Sequence, residues 1–262
     1  MKVRYRVVPK QNKKSSFYVN CHTQHVTIQA ADSAFSTLLS LRDRLSAWYK
    51  EKNISFDDNG FPEYDICHEG KVLCHLHLGV PGEHNVLNSM AAYVTSSYLG
   101  VNDEVIASTL KAFRGTHRRF DFTGVTRNGV RIVDDYAHHP TEIKATLAAA
   151  SNVKHNKLRV VFQPHTYTRT KALFDDFIDS FDHVDSLIIT DIYAAREKDV
   201  YGVSSYQLVN AIKAKHPDRE AYYVQDFEDI VKYLSANAEE GDIVMTMGAG
   251  DVYKVGQMML KA

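Results

Sequence analysis

Asp134-Asp135-Tyr136-Ala137-His138-His139-Pro140-Thr141-Glu142 follows an apolar, β-branched run, Arg131-Ile132-Val133, and leads into a helical pattern carried by Ile143, Leu147 and Ala150. Pro140 suits the first helical position, where a missing N–H costs nothing. Two acids, a phenol and two imidazoles therefore crowd the junction of a strand with a helix N-terminus. Such a junction offers unpaired N–H groups and the positive end of the helix dipole, both of which favour anions. In open α/β sheets, ligands bind just outside the carboxyl ends of strands. A capped turn with solvated histidines fits the same residues, because His is often a surface residue. What the other loops carry decides between the two.

Working outward, Phe120–Thr126 and Val130–Val133 flank Asn128-Gly129, the strongest short hairpin signal. Strand-like runs follow at Leu158–Phe162, Ser186–Thr190, Ala221–Val224 and Ile243–Met247. Helical patterns lie between them at Lys171–Phe181, Ser204–Ala214 and Phe227–Leu234, with a last one at Val252–Leu260. Alternation of this kind predicts an α/β fold: a doubly wound, mostly parallel, Rossmann-like sheet with helices on both faces and right-handed crossovers.

The first half reads less clearly. Val3–Val8 and Val26–Ile28 suit short strands, separated by the polar run from Lys10 to Ser16, and Ala31–Tyr49 has apolar residues at helical spacing. From Glu63 to Leu78 the period is two, with Tyr64–Cys67 and Lys71–Leu78 flanking His68-Glu69-Gly70 as a hairpin. Cys67, His68, Cys74, His75 and His77 suggest zinc, but alternation puts Cys74 on one face and His75 and His77 on the other. No metal site is expected there. Gly79-Val80-Pro81-Gly82-Glu83-His84-Asn85 then leads into a helix whose buried stripe is Val86, Leu87, Met90, Ala91 and Val94, ending at Gly100. A second helix around Val105, Ile106, Leu110 and Phe113 stops at Gly115, where a domain boundary is expected, giving domains 1–115 and 116–262.

Composition narrows the class. Two domains are the first expectation for 262 residues, and 24% charged with 44% hydrophobic residues is ordinary for a soluble protein. A net charge of −1 supplies no global field for nucleic acid or an anionic membrane. Three cysteines make no disulfide framework, no apolar run reaches membrane-spanning length, and the early basic residues lack a following apolar segment. A cytoplasmic protein without nucleic-acid or membrane partners is expected; oligomeric state is not readable.

Four strand ends carry functional groups: Asp135–His139, Gln163-Pro164-His165-Thr166-Tyr167-Thr168-Arg169, Asp191-Ile192-Tyr193-Ala194-Ala195-Arg196-Glu197-Lys198, and Gly248-Ala249-Gly250-Asp251. A parallel sheet brings these loops to one edge, as a cleft for an anionic small molecule. Arg169 can bind a carboxylate or phosphate in two-pronged fashion. The Gly-Ala-Gly turn is expected to bring backbone N–H groups close to an anion.

Gly-Glu-His-Asn-Val-Leu-Asn-Ser-Met-Ala-Ala from Gly82, His-Arg-Arg-Phe-Asp from His117, Asp-Asp-Tyr-Ala-His-His-Pro-Thr-Glu-Ile from Asp134, Phe-Gln-Pro-His-Thr-Tyr-Thr-Arg-Thr from Phe162 and Asp-Ile-Tyr-Ala-Ala-Arg-Glu from Asp191 together resemble the Mur ligases. Within them the resemblance is to the alanine-adding branch, and it covers about residues 54–262 with five motifs in order. It implies ATP-dependent amide ligation in peptidoglycan synthesis. The carboxylate of UDP-N-acetylmuramate would take the γ-phosphoryl group of ATP, and the L-alanine amine would displace phosphate. Carried over by motif, His84 and Asn85 would hold adenine and Arg119 would contact nucleotide or phosphate. Tyr136, His138 and Arg169 would line the muramoyl carboxylate and alanine site and carry the catalysis, with His165 among the substrate-binding residues.

The resemblance is to a three-domain protein. The UDP-binding domain is absent from this sequence, as is any GxxxxGK[ST] phosphate loop. The acidic and histidine motif that would hold Mg2+ is also missing, and residues 1–50 match nothing in its place. The sequence therefore reads as part of a central, ATPase-type α/β domain plus a complete C-terminal domain, and these residues alone are expected not to turn over. Thr166 stands where some relatives carry arginine. Two rival readings remain: the related ligase that recycles murein tripeptide, whose substrate loop differs, and a non-catalytic module that binds a nucleotide or sugar-peptide.

Overall fold

The computed structural model describes residues 15–21, 24–30 and 49–262. The expectations for Val3–Val8 and for residues 31–48 lie outside the described residues. Two compact units form: one holds the described residues up to Ser55 with Pro62–Gly79 and His84–Phe113, the other Phe56–Phe61, Val80–Glu83 and Arg114–Ala262.

In the first unit, β1 (Ser15–Cys21) and β2 (Gln24–Ala30) pair antiparallel, with Ser15 opposite Ala30 and Cys21 opposite Gln24. So Ser15 and Ser16, read in sequence as part of a polar spacer, belong to a strand. β3 (Tyr49–Phe56), β4 (Pro62–His68) and β5 (Lys71–His77) form a three-stranded sheet in that order. β3 is an addition to the sequence reading, and its first residue, Tyr49, was expected to end a helix; the strand is so weakly buried that it carries little apolar alternation. The β4–β5 hairpin forms as its period-two pattern requires, with a bulge at Ile66/Cys67. Helices α1 (Glu83–Tyr98) and α2 (Asp103–Ala112) follow. Asn102 caps α2 by accepting the Glu104 N–H, and Gly100 takes the positive φ of 82° that ends α1's last turn. Tyr64 is fully buried, with its hydroxyl 2.7 Å from Ser89 Oγ, so β4 is tied to α1 by a satisfied polar contact inside an apolar core.

The second unit is built on one six-stranded sheet. Its elements are β6 (Asp121–Val125), β7 (Arg131–Asp135), α3 (Pro140–Ser151), β8 (Leu158–Phe162), α4 (Tyr167–Ala172) and α5 (Phe174–Ile178). They continue with β9 (Ser186–Ile189), α6 (Ser205–Lys215), β10 (Glu220–Tyr223), α7 (Phe227–Asn237), β11 (Ile243–Met247) and α8 (Tyr253–Met259). The strand order is β10-β9-β8-β11-β7-β6. All neighbours are parallel except β6, which turns back on β7 at Asn128-Gly129. This is the doubly wound sheet that the alternation predicts, with β11 inserted between β7 and β8. Val133, Val160, Phe162, Leu187 and Met245 pack on one face with residues of α3, α5 and α6. Ile132, Val161, Ile188 and Val244 pack on the other with residues of α7 and α8. Both faces are covered, which is why these strands read as continuous apolar runs.

One predicted helix, Lys171–Phe181, is corrected. It begins earlier, at Tyr167, and bends at Leu173 into α4 and α5. The hydrogen-bond ladder passes through the bend, with Leu173 N donating to Arg169 O and Phe177 N to Leu173 O, both at 2.9 Å. The second segment sets Phe177, and the turn after it Phe181, against the buried Phe162 ring.

Candidate functional site

Register places the ends of four parallel strands side by side: Asp135 pairs with Met247, Met247 with Phe162, and Phe162 with Ile189. The loops that follow each strand therefore share one edge of the second unit.

The two acids that open the motif do not face that edge. Asp134 and Asp135 are both 4% exposed. Asp134 accepts from Arg118 Nε at 2.7 Å and from the Thr246 hydroxyl at 2.6 Å. Asp135 accepts the N–H groups of Phe120 and Ala137, both at 2.7 Å, and burial raises its carboxyl above the ordinary range. These acids fix the loop; they are not reagents. Arg118 also donates to the carbonyls of Gly248 (2.8 Å) and Gly250 (3.2 Å), and its guanidinium lies 5.1 Å from the Tyr136 ring centre and 4.7 Å from that of Tyr253. The sequence reading chose the adjacent Arg119 and missed Arg118, although both stand in one His-Arg-Arg-Phe run.

Tyr136 is 36% exposed, with Arg119 5.5 Å from its ring centre, and meets His138 edge-on at 5.5 Å. His138 Nδ1 is 2.9 Å from the Tyr136 carbonyl. Glu142 accepts the N–H groups of His138 (3.1 Å) and His139 (3.3 Å), and its carboxyl is held below the ordinary range by these bonds and by His138 and Arg119, which together outweigh desolvation. His139 is spent as a cap: its Nδ1 accepts from the Thr141 N–H at 3.3 Å. So the capped-turn reading holds for His139, while His138 reaches the neighbouring loop.

There His138 meets His165, ring centres 5.7 Å apart, and His165 stacks on Tyr193 at 5.6 Å. An isolated parallel bridge between His165 and Tyr193 carries the β8–β9 pairing beyond the strand ends, with Thr166 N donating to Tyr193 O at 2.9 Å. Arg169 lies in the first turn of α4, not on a free loop, and its Nη1 donates to His165 Nδ1 (3.1 Å) and His165 O (3.2 Å). Its link to His138 and Tyr136 runs through His165. Burial lowers the His165 imidazole below its ordinary value, with help from Arg169 and His138. Glu197 anchors α4 by accepting the Thr168 N–H at 2.9 Å and the Thr168 hydroxyl.

The Gly-Ala-Gly turn differs from its expected use. The N–H groups of Asp251 and Val252 donate to Gln163 Oε1 at 2.8 and 3.2 Å, so a side chain of the protein occupies the place proposed for an anion. A Cβ on Gly250 would lie 2.3 Å from Gln163 Oε1 and 2.7 Å from Tyr193 Cγ. The glycines let the turn pack on Gln163 and Tyr193.

Tyr136, His138, His165 and Arg169 thus form one continuous group. Arg119 stands beside it, with a half-exposed side chain 3.9 Å from Glu142. His84 and Asn85 lie in the first turn of α1 in the other unit, where Asn85 Oδ1 accepts from Asn88. Of the hairpin residues, His75 pairs with Asp65 at 2.8 Å and His77 with Glu63 at 2.6 Å, each across the β4–β5 ladder. Among the described residues, no group of three or more His, Cys, Asp or Glu is placed to hold a metal ion. Nor is any described helix long and apolar enough to cross a membrane. The group combines a guanidinium, two imidazoles and a phenol, which is chemistry for holding a carboxylate and moving a proton. Gln163, Glu142 and Glu197 were named in the sequence reading but given no role. Only Glu142 left a signal there, three residues after its cap at His139, where a capping-box acid sits.

A family model described as Mur ligase, glutamate ligase domain, matches residues 118–250. UDP-N-acetylmuramate–L-alanine ligase of Clostridium acetobutylicum is 50% identical over 211 residues, covering 80% of this chain and 45% of that protein. The enzyme of that name from Caldanaerobacter subterraneus subsp. tengcongensis is 44% identical over 245 residues, covering 94% and 53%. The crystal structure of UDP-N-acetylmuramate–alanine ligase from Thermotoga maritima superposes with a TM-score of 0.68 at 27% identity, covering 81% of this chain and 45% of that one. The chain spans about half the length of the curated relatives it matches.

Proposed function

The chain belongs to the Mur ligase family, and from that premise we propose that it carries the C-terminal part of a UDP-N-acetylmuramate–L-alanine ligase. In this reading residues 116–262 are the C-terminal ligase domain and residues 1–115 belong to a central ATP-binding domain, acting in the cytoplasm. The observation that carries it is the Tyr136–His138–His165–Arg169 group spanning two adjacent loops. Arg169 is held by His165, so its fork is pre-set for a carboxylate, and a charge-assisted pair of that kind is among the stronger polar contacts. His138 would receive the amine end of L-alanine and Tyr136 would border it.

Each unit offers donors of the kind ATP needs: in the second, the guanidinium of Arg119 for phosphate; in the first, the imidazole and amide of His84 and Asn85 for the edges of a base. Bound, ATP supplies the phosphoryl group that activates the muramoyl carboxylate. Mg2+ does not fit the described residues, which offer no cluster of ligands, and no step is assigned to it here.

A chimera tests the reading: the N-terminal part of the Caldanaerobacter relative joined ahead of this chain, with phosphate release measured. Turnover should require ATP, UDP-N-acetylmuramate and L-alanine together. Arg169→Lys should lower kcat/KM for the muramoyl substrate by about tenfold or more at unchanged melting temperature, because lysine cannot reproduce the fork. Turnover with murein tripeptide in place of alanine would favour the recycling ligase. Nucleotide binding without turnover would favour a binding module.

A further inference from the structure

The two histidines of the site differ in which nitrogen carries the proton, and their neighbours impose the difference. His138 Nδ1 is 2.9 Å from the Tyr136 carbonyl and 3.5 Å from Glu142 Oε2. Both partners can only accept, so Nδ1 carries the hydrogen and a neutral His138 keeps its lone pair on Nε2. His165 is the reverse. Its Nδ1 faces Arg169 Nη1 at 3.1 Å, and a guanidinium can only donate, so Nδ1 accepts and Nε2 carries the hydrogen. With ring centres 5.7 Å apart, a basic nitrogen and an N–H donor stand on neighbouring rings.

Charges from both sides bear on His138. From β7 and α3 come Tyr136, Glu142 and, 3.9 Å beyond that carboxylate, Arg119. From β8 and α4 come His165 and Arg169, with Glu197 bonded to α4 at Thr168. Glu142 also binds the main-chain N–H of His138, so one carboxylate sets both the ring's place and its proton.

Resting on the ligase reading, we propose that His138 Nε2 accepts a proton from the incoming ammonium group and that Glu142 is the positioning residue that keeps the ring's lone pair on this nitrogen. The ammonium gives one proton to Nε2, leaving a neutral amine and an imidazolium. The amine's electron pair forms the N–C bond to the acyl phosphate, the C–O bond to phosphate breaks with its pair on oxygen, and the second surplus amine proton leaves with phosphate. No oxidant or further reactant is needed.

Ring 15N NMR of this chain tests the tautomers without turnover, His138→Gln and His165→Gln supplying the assignments. His138 should show a pyrrole-like Nδ1 and pyridine-like Nε2 once neutral, and His165 the opposite pattern. Glu142→Gln should weaken the bias of neutral His138 toward the Nδ1–H tautomer, and Glu142→Asp should restore part of it. An Nε2–H tautomer at His138, or a tautomer balance indifferent to Glu142→Gln, overturns the proposal. In the chimera, Glu142→Gln should lower kcat with KM nearly unchanged, and Glu142→Asp should restore part of kcat. Normal turnover in His138→Gln removes the proton-acceptor role alone; a chimera without alanine-dependent turnover removes the ligase reading and that role together.

Discussion

Two arginine–aspartate pairs are buried in the same sheet, at opposite edges. At the edge where strands begin, Arg159 Nε meets Asp242 at 2.8 Å, with side chains 7% and 2% exposed. At the edge where strands end, Arg118 Nε meets Asp134 at 2.7 Å, with side chains 15% and 5% exposed. Both arginines also bind main-chain carbonyls, Arg159 that of Asn237 and Arg118 those of Gly248 and Gly250. Their settings differ. Arg159 belongs to regular β8, whereas Arg118 adopts a left-handed φ of 59° and lies against the Tyr136 and Tyr253 rings. One pair ties chain to chain; the other also seats a side chain of the site. The same chemistry is scaffold at one edge and support for function at the other.

Removing one partner of a buried pair leaves an uncompensated charge, so Asp242→Ala should have the largest effect, about 3–5 kcal/mol of unfolding free energy in urea. It should leave the ring resonances of His138 and His165 unmoved; movement would erase the distinction between the edges. Arg118→Lys and Arg159→Lys sharpen it. Each loses part of a fork and should cost about 1–3 kcal/mol, but only Arg118→Lys should shift the Tyr136 and His138 resonances. Equal shifts from both would break the comparison. Gly250→Ala drives a methyl into Gln163 and Tyr193 and should cost about 1–3 kcal/mol, with loss of the His165–Tyr193 stacking seen as a changed His165 ring shift.

The smallest effect concerns acid. The folded pKa of His165 lies below its unfolded value, chiefly through burial. Its contribution is therefore complete above the unfolded value of about 6.5 and is lost as pH falls through the folded one. Urea midpoints at pH 7 and pH 5 should separate less in His165→Gln than in the parent. An identical separation would take His165 out of the acid response.

Strands β7, β8, β9 and β11 were legible because each is buried on both faces and so reads as an apolar run. The four loops were legible because a parallel sheet puts strand ends on one edge. Side-chain direction was not. Asp134 and Asp135 close a strand flanked by β6 and β11, so both must find partners inside the protein, and no local period encodes that these are Arg118 and two main-chain N–H groups. The use of Gly248-Ala249-Gly250 depended on Gln163, far away in sequence, and the choice between Arg118 and Arg119 on which of two neighbours turns inward. β3 was missed because an exposed strand need not alternate.

The insertion of β11 between β7 and β8 also has a bearing on how the protein is born. Until Ile243–Met247 has left the ribosome, those two strands each present an unpaired edge to the cell. Such edges are templates for the wrong partner, and pairing across so long a stretch of chain is intrinsically slow. A chain shortened to end before Ile243 should therefore aggregate rather than settle as a smaller folded domain, which light scattering would read.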